Sequence, residues 1–214
     1  MGTLPFGRYR LRRTSSDQGK DPVMNVTSIF GTLLGLVVRE ASAHCDTEDG
    51  PAVTDGRRAL DSGNVNVALK WVHPGGEDEV RAVFDKVRRV RVAGGETREV
   101  ADRWFLETLV RVHRAGEGAG FSGLAPAGAG VDPRVVAADE ALELGSIEPL
   151  RGLVDEDRWD ELERRFDHAI ALRGFDPDDL VAAREYMDAY VRFFKYAEGH
   201  DHDHHGHDHH EHAP

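Results

Sequence analysis

The chain is short of cysteine, of aromatic residues and of basic charge, and each shortage closes off a class of protein. One cysteine, Cys45, in 214 residues leaves no partner for an internal disulfide. The fold must therefore rest on a packed core, and Cys45 is an inert small hydrophobe, an intermolecular cross-link or a thiolate with a chemical role. A formal net charge of -12 denies the basic face that phosphate neutralisation needs, which works against nucleic acid as a partner. The apolar run Val26 to Val38 has 13 residues and would reach about 20 Å as a helix, short of a hydrocarbon core of about 30 Å. A stable membrane span is not expected. No stretch sustains the alternation of a half-buried strand, so the reading is all-α.

What the chain does have is concentrated. His44-Cys45-Asp46-Thr47-Glu48-Asp49-Gly50 places imidazole, thiolate and carboxylate donors within seven residues. That mixture suits a transition metal such as nickel, zinc, copper or iron better than calcium or magnesium. The candidate ligands are His44, Cys45, Asp46 and Asp49.

Residues 1 to 43 read as a leader. Arg8, Arg10, Arg12, Arg13 and Lys20 precede the apolar run, and Ala41-Ser42-Ala43 supplies the small residues of a cleavage site. Export and cleavage after Ala43 would make His44 the mature amino terminus and place the protein outside the cytoplasm. The alternative is a disordered cytoplasmic extension, and a start at Met24 would remove the basic region.

The domain that follows, 44–199, is internally duplicated. Shifting Pro51–Arg91 by 82 positions onto Pro133–Arg173 gives 11 identities in 41 positions without a gap. Gly63 falls on Gly145, Asp78-Glu79 on Asp160-Glu161, and Phe84-Asp85 on Phe166-Asp167. After a one-residue slip, Val100–Gly118 matches Val181–Gly199. The expectation is two tandem repeats, 51–118 and 133–199, each of three to four helices, packed with pseudo-two-fold symmetry between disordered termini.

Within each repeat the helix signals are local. Pro51 suits a first turn, Gly63 an end, and Asn64 a cap for a short helix through Trp71. Glu77-Asp78-Glu79 opens a third helix and Gly94-Gly95 closes it. A long helix over about 97–115 carries the polar stripe Arg103, Glu107, Arg111 and Arg114, with apolar residues filling the rest of its circumference, as in a nearly surrounded central helix. Glu107 then pairs with Arg111. His113 lies off the stripe, opposite Phe194 of the second copy, and is expected to be buried and bonded to a backbone group. Glu117, four residues on, can lie beside it as a second ligand. Gly116 to Gly130 should be loop.

The last fifteen residues contain eight histidines and four acids: His200, His202, His204, His205, His207, His209, His210 and His212 among Asp201, Asp203, Asp208 and Glu211. Such a tail forms no core and binds transition metals with little selectivity.

The opening segment, Trp104-Phe105-Leu106-Glu107-Thr108 and His113-Arg114-Ala115-Gly116-Glu117-Gly118 together resemble a prokaryotic family of unknown function. Its members open with His-Cys-Asp-Thr-x-Asp-Gly-Pro and later carry His-Arg-Ala-Gly-Glu-Gly. Residues 44–50 also resemble, over seven positions, the amino-terminal hook of nickel-type superoxide dismutase. That hook reads His-Cys-Asp-x-x-Cys-Gly and binds nickel through its terminal amine, imidazole, a backbone amide and two thiolates. Here Asp49 stands in place of the second cysteine.

Three functions are consistent with these features. The first is an exported metal-binding protein with a site at the start of the helical domain and a metal-capturing tail. The second is a metal- or thiolate-dependent enzyme, redox chemistry included, using Cys45 with His113 and Glu117. The third is a helical interaction module.

Overall fold

A computed structural model of the chain describes residues 43–200. The leader and the histidines from His202 onward, with the readings made for them, lie outside the described residues. Within these, seven α-helices succeed one another: α1 Pro51–Ser62, α2 Asn66–Leu69, α3 Glu77–Val90, α4 Gly95–Gly116, α5 Pro133–Leu144, α6 Trp159–Leu172 and α7 Leu180–Glu198. No strand occurs among the described residues, only isolated bridges such as Thr47 with Ala125.

The helix ends follow from local chemistry. Pro51 and Pro133 occupy the first turns of α1 and α5, where a missing N–H costs no hydrogen bond. Gly63 and Gly145 terminate those helices at φ 76° and 66°, a left-handed backbone that a side chain would strain. Glu77, Asp78 and Glu79 stand at the positive end of α3, and Arg88 and Arg89 at its negative end. Asp179 caps α7 by accepting from the N–H groups of Val181 and Ala182.

The element bounds recur at the offset read from the sequence. Both ends of α1 and α5, and both ends of α3 and α6, differ by 82 positions. The short α2 is matched by a 3-10 turn at Glu148–Leu150. Each copy has its own apolar core. Val53, Leu60, Leu69, Phe84, Phe105 and Leu109 belong to the first, and Leu142, Leu162, Phe166 and Phe193 to the second. Cys45 and Trp71 cross the boundary, because both pack in the second copy's core.

Three local expectations are corrected. The second helix stops at Leu69 rather than Trp71, and Trp71 follows it in a turn. The long helix begins at Gly95, and it is not surrounded: Val100 is 72% and Trp104 47% exposed. An apolar residue on a helical wheel shows which faces can be buried, not which ones meet a neighbour. Glu107 accepts from Arg103 at 2.8 Å, while Arg111 reaches across to Glu79 on α3. Both arginines face carboxylates, and tertiary proximity selects between them.

Candidate functional site

The opening segment meets the domain where the two copies adjoin, and most of its donors are spent on that junction. A 3-10 turn over Ala43–Asp46 leads in. His44 Nε2 lies 2.5 Å from Asp139 Oδ2 on α5, and Asp139 Oδ1 accepts from the Tyr190 hydroxyl at 2.8 Å. Backbone bonds from Glu48 N to Ala125 O, 2.9 Å, and from Ala125 N to Asp46 O, 2.8 Å, tie the segment to the connection between copies. Thr47 Oγ1 lies 3.2 Å from the His44 carbonyl. Gly50 lies so close to that carbonyl that a Cβ would collide with it, which accounts for the glycine by space rather than by dihedral angle. Asp49 is exposed, and its Oδ1 accepts from Gly128 N at 3.1 Å. Hydrogen bonds from Thr47 and Gly128 hold its carboxyl below the usual range.

Cys45 is 3% exposed and unpaired. Burial raises its thiol far above the ordinary value, and the charges of Glu117, Asp46 and Asp139 raise it further, with Lys195 opposing. Burial comes first and carboxylates outnumber cations around the sulfur, so the thiol is held protonated. Asp46 is also raised by burial, against the pull of Arg114, whose Nε lies 3.3 Å from Asp46 Oδ2. Its Oδ1 is buried without a hydrogen-bond partner.

His113 comes to the same region from α4. Its Nδ1 lies 2.8 Å from the Trp71 carbonyl, and the two rings meet edge to face at 5.8 Å. A carbonyl only accepts, so Nδ1 carries the proton, and in the neutral ring Nε2 presents a bare lone pair. That Nε2 is buried with no hydrogen-bond partner, and Glu117 Oε1 stands 3.7 Å away. The charge of Glu117 thus reaches both Cys45 and Asp46, and that of His113 reaches Asp46, whereas His44 turns to Asp139 and Asp49 to the connecting loop. His200 follows α7, its Nε2 3.8 Å from Glu198 Oε2. Among the described residues no group of three or more His, Cys, Asp or Glu side chains is arranged to hold a metal ion.

Beside this cluster a cleft of about 430 Å³ opens between the copies. Asp55, Lys70 and Trp71 line it from the first copy, and Asp139, Arg173 and Tyr190 from the second. Trp71 Nε1 and Lys70 Nζ each lie 2.9 Å from Asp55 Oδ2. None of these was singled out from the sequence. The signal that marks them is where the copies disagree in polarity: Asp55 aligns with Ala137, Asp139 with Arg57, and Lys70 with Gly152.

No helix among the described residues is long and apolar enough to cross a membrane. No curated protein and no solved structure matches the chain. Residues 49–196, spanning the connection and both copies, match one family model, and the chain belongs to that family, the family of unknown function DUF6448.

Proposed function

We propose that the domain is a transition-metal-binding protein whose fixed site lies where the opening segment meets α4. Exported behind its leader, it would use the His-rich tail as a low-selectivity collector. The observation that carries this reading is the tautomer of His113. A ring whose Nδ1–H is fixed by a carbonyl, with the other nitrogen buried and bare, has the form of a metal-ligating histidine with its outer hydrogen bond in place. Two ligands at about 2.0–2.2 Å from one ion lie roughly 3–4 Å apart. The 3.7 Å between Nε2 and Glu117 Oε1 fits that separation. Asp46, through its unpartnered Oδ1, and Cys45, through a thiol that gives up its proton to the ion, complete the set by side-chain rotation. The protonated thiol suits a ligand recruited by metal better than a standing nucleophile.

The test is element analysis of two proteins purified from cells supplied with nickel, zinc, copper and iron: the whole chain, and a chain ending at His200. The shorter chain is expected to retain about one ion. His113→Ala and Cys45→Ser should each lose it, while Glu107→Gln, on the outer face of α4, should keep it. A metal-free shorter chain with normal far-ultraviolet circular dichroism would overturn the fixed site. Intact mass of the same material shows whether cleavage follows Ala43.

A further inference from the structure

The two copies solve the same problem differently at one arginine. Arg91 ends α3, and its Nη1 donates to the Leu60 carbonyl. Its remaining nitrogens are filled by carboxylates: Nε to Asp102 Oδ1 at 2.7 Å, Nη2 to Asp102 Oδ2 at 2.9 Å, and Nη2 to Asp61 Oδ1 at 2.9 Å. Arg173 ends α6 at the matching position, and its Nη1 donates to the matching carbonyl, Leu142. One of the two carboxylates is gone, for Glu143 stands where the first copy has Asp61. Asp102 of α4 corresponds to Ala183 of α7, and among the described residues no carboxylate lies within ion-pair distance of Arg173. Arg173 itself lines the cleft between the copies.

We infer that the cleft binds a small monocarboxylate, its carboxylate on the Arg173 guanidinium and its apolar body against Tyr186, Tyr190 and Met187. A guanidinium recognises a planar carboxylate by two parallel N–H bonds, as Arg91 does with Asp102 in the first copy. The cleft's volume of about 430 Å³ falls at the small end of ligand sites, which limits the occupant to metabolite size. Its walls set the rest of the selectivity. Tyr186 and Tyr190 stack at 6.3 Å and present aromatic surface, and Leu142 and Met187 add aliphatic surface. Asp49, Asp139 and Glu143 also line the cleft and repel a second negative charge, so dicarboxylates and phosphates are disfavoured. The Lys70 and Arg58 cations in the same wall share Asp55 as their carboxylate partner. This site does not depend on the metal reading, since Arg173 and the tyrosines take no part in it.

The experiment is isothermal titration of the full chain with benzoate, with phenylacetate, with the neutral isostere benzamide and with inorganic phosphate. Saturable binding of benzoate or phenylacetate is expected, with benzamide and phosphate silent. Arg173→Gln is expected to weaken carboxylate binding by about tenfold or more. Ala183→Asp supplies the first copy's internal partner and should abolish binding while the protein stays folded by circular dichroism. His113→Ala should bind benzoate as the parent does. If neither carboxylate binds, if Arg173→Gln binds unchanged while folded, or if phosphate competes equally, the assignment is overturned. Should Ala183→Asp fail to fold, the Arg173→Gln comparison decides.

Discussion

Arg184 of α7 places Nη2 2.6 Å from Glu77 Oε1 in the first turn of α3, so one side chain of the second copy clamps the first. The same nitrogen donates to the Val72 carbonyl at 2.9 Å, beyond the end of α2. Glu77 also pairs with Arg81 within its own helix.

This clamp sets a pH dependence. The hydrogen bond from Arg184, helped by that from Arg81, holds the Glu77 carboxyl below its ordinary 4.5. A depressed carboxylate contributes stability that is present above the unfolded value and lost as pH falls through the folded one. Glu77→Gln is expected to cost about 1 kcal/mol at neutral pH, the pair being partly exposed. Urea denaturation of parent and variant should differ at about pH 7 and converge as pH falls through the depressed folded value. A difference that persists in acid would place the effect in packing rather than charge.

Asp139 serves two buried donors at once, His44 Nε2 and the Tyr190 hydroxyl. Asp139→Ala leaves the 5% exposed tyrosine without its acceptor, at a cost of about 1–3 kcal/mol. It also frees the opening segment from α5. Hydrogen exchange should therefore accelerate at residues 44 to 48 more than in α5 itself. Uniform acceleration across the domain would mean that the segment is not held by this bond.

The helices were legible in the sequence because their signals are local. Pro51, Gly63, Pro133 and Gly145 act through their own backbone geometry, and the 82-residue offset carried one copy's bounds to the other. The partners across the junction were not legible. His44 meets Asp139 from 95 positions away and Arg184 meets Glu77 from 107, and no periodicity encodes such a pairing. The donor chemistry of the opening motif points to a ligand cluster. In the fold His44, Thr47, Asp49 and Gly50 form a turn that fastens the segment, while Asp46 stays near His113 and Glu117 and Cys45 near Glu117. Donor types announce what a segment can bind, but hydrogen-bond accounting decides which donors are still available.

Gly56 offers a packing test of the duplication. A Cβ there would lie 2.7 Å from Leu106 Cδ2 and 2.9 Å from Leu109 Cδ2, yet the matching position in the second copy is Ala138. Where the second copy has the alanine methyl, it has Met187 and Tyr190 in place of Leu106 and Leu109. Gly56→Ala should therefore destabilise by about 1–3 kcal/mol through overpacking, despite the better helix propensity of alanine. The double variant Gly56→Ala with Leu106→Met, which mimics the Ala138 and Met187 pair, should recover part of the loss. Thermal denaturation of both checks it, and a stabilised Gly56→Ala would show that α1 and α4 separate easily.

Cys45 joins the site chemistry to the stability of the opening segment. Its thiol is buried, and the carboxylates around it oppose ionisation, so two barriers suppress the thiolate that reacts with disulfide reagents. In the native protein, labelling by a chromogenic disulfide at about pH 8 is expected to be slow and to require opening of the segment, whereas the unfolded chain should react as an ordinary cysteine of pKa about 8.5. Asp139→Ala should speed native labelling, because it loosens the strap that covers the sulfur. Nickel or zinc added to the parent should slow labelling further if the thiolate becomes a ligand, and should leave His113→Ala unaffected. Fast native labelling in the absence of denaturant would mean that Cys45 is reached without opening, and that the burial of its thiol does not govern its chemistry.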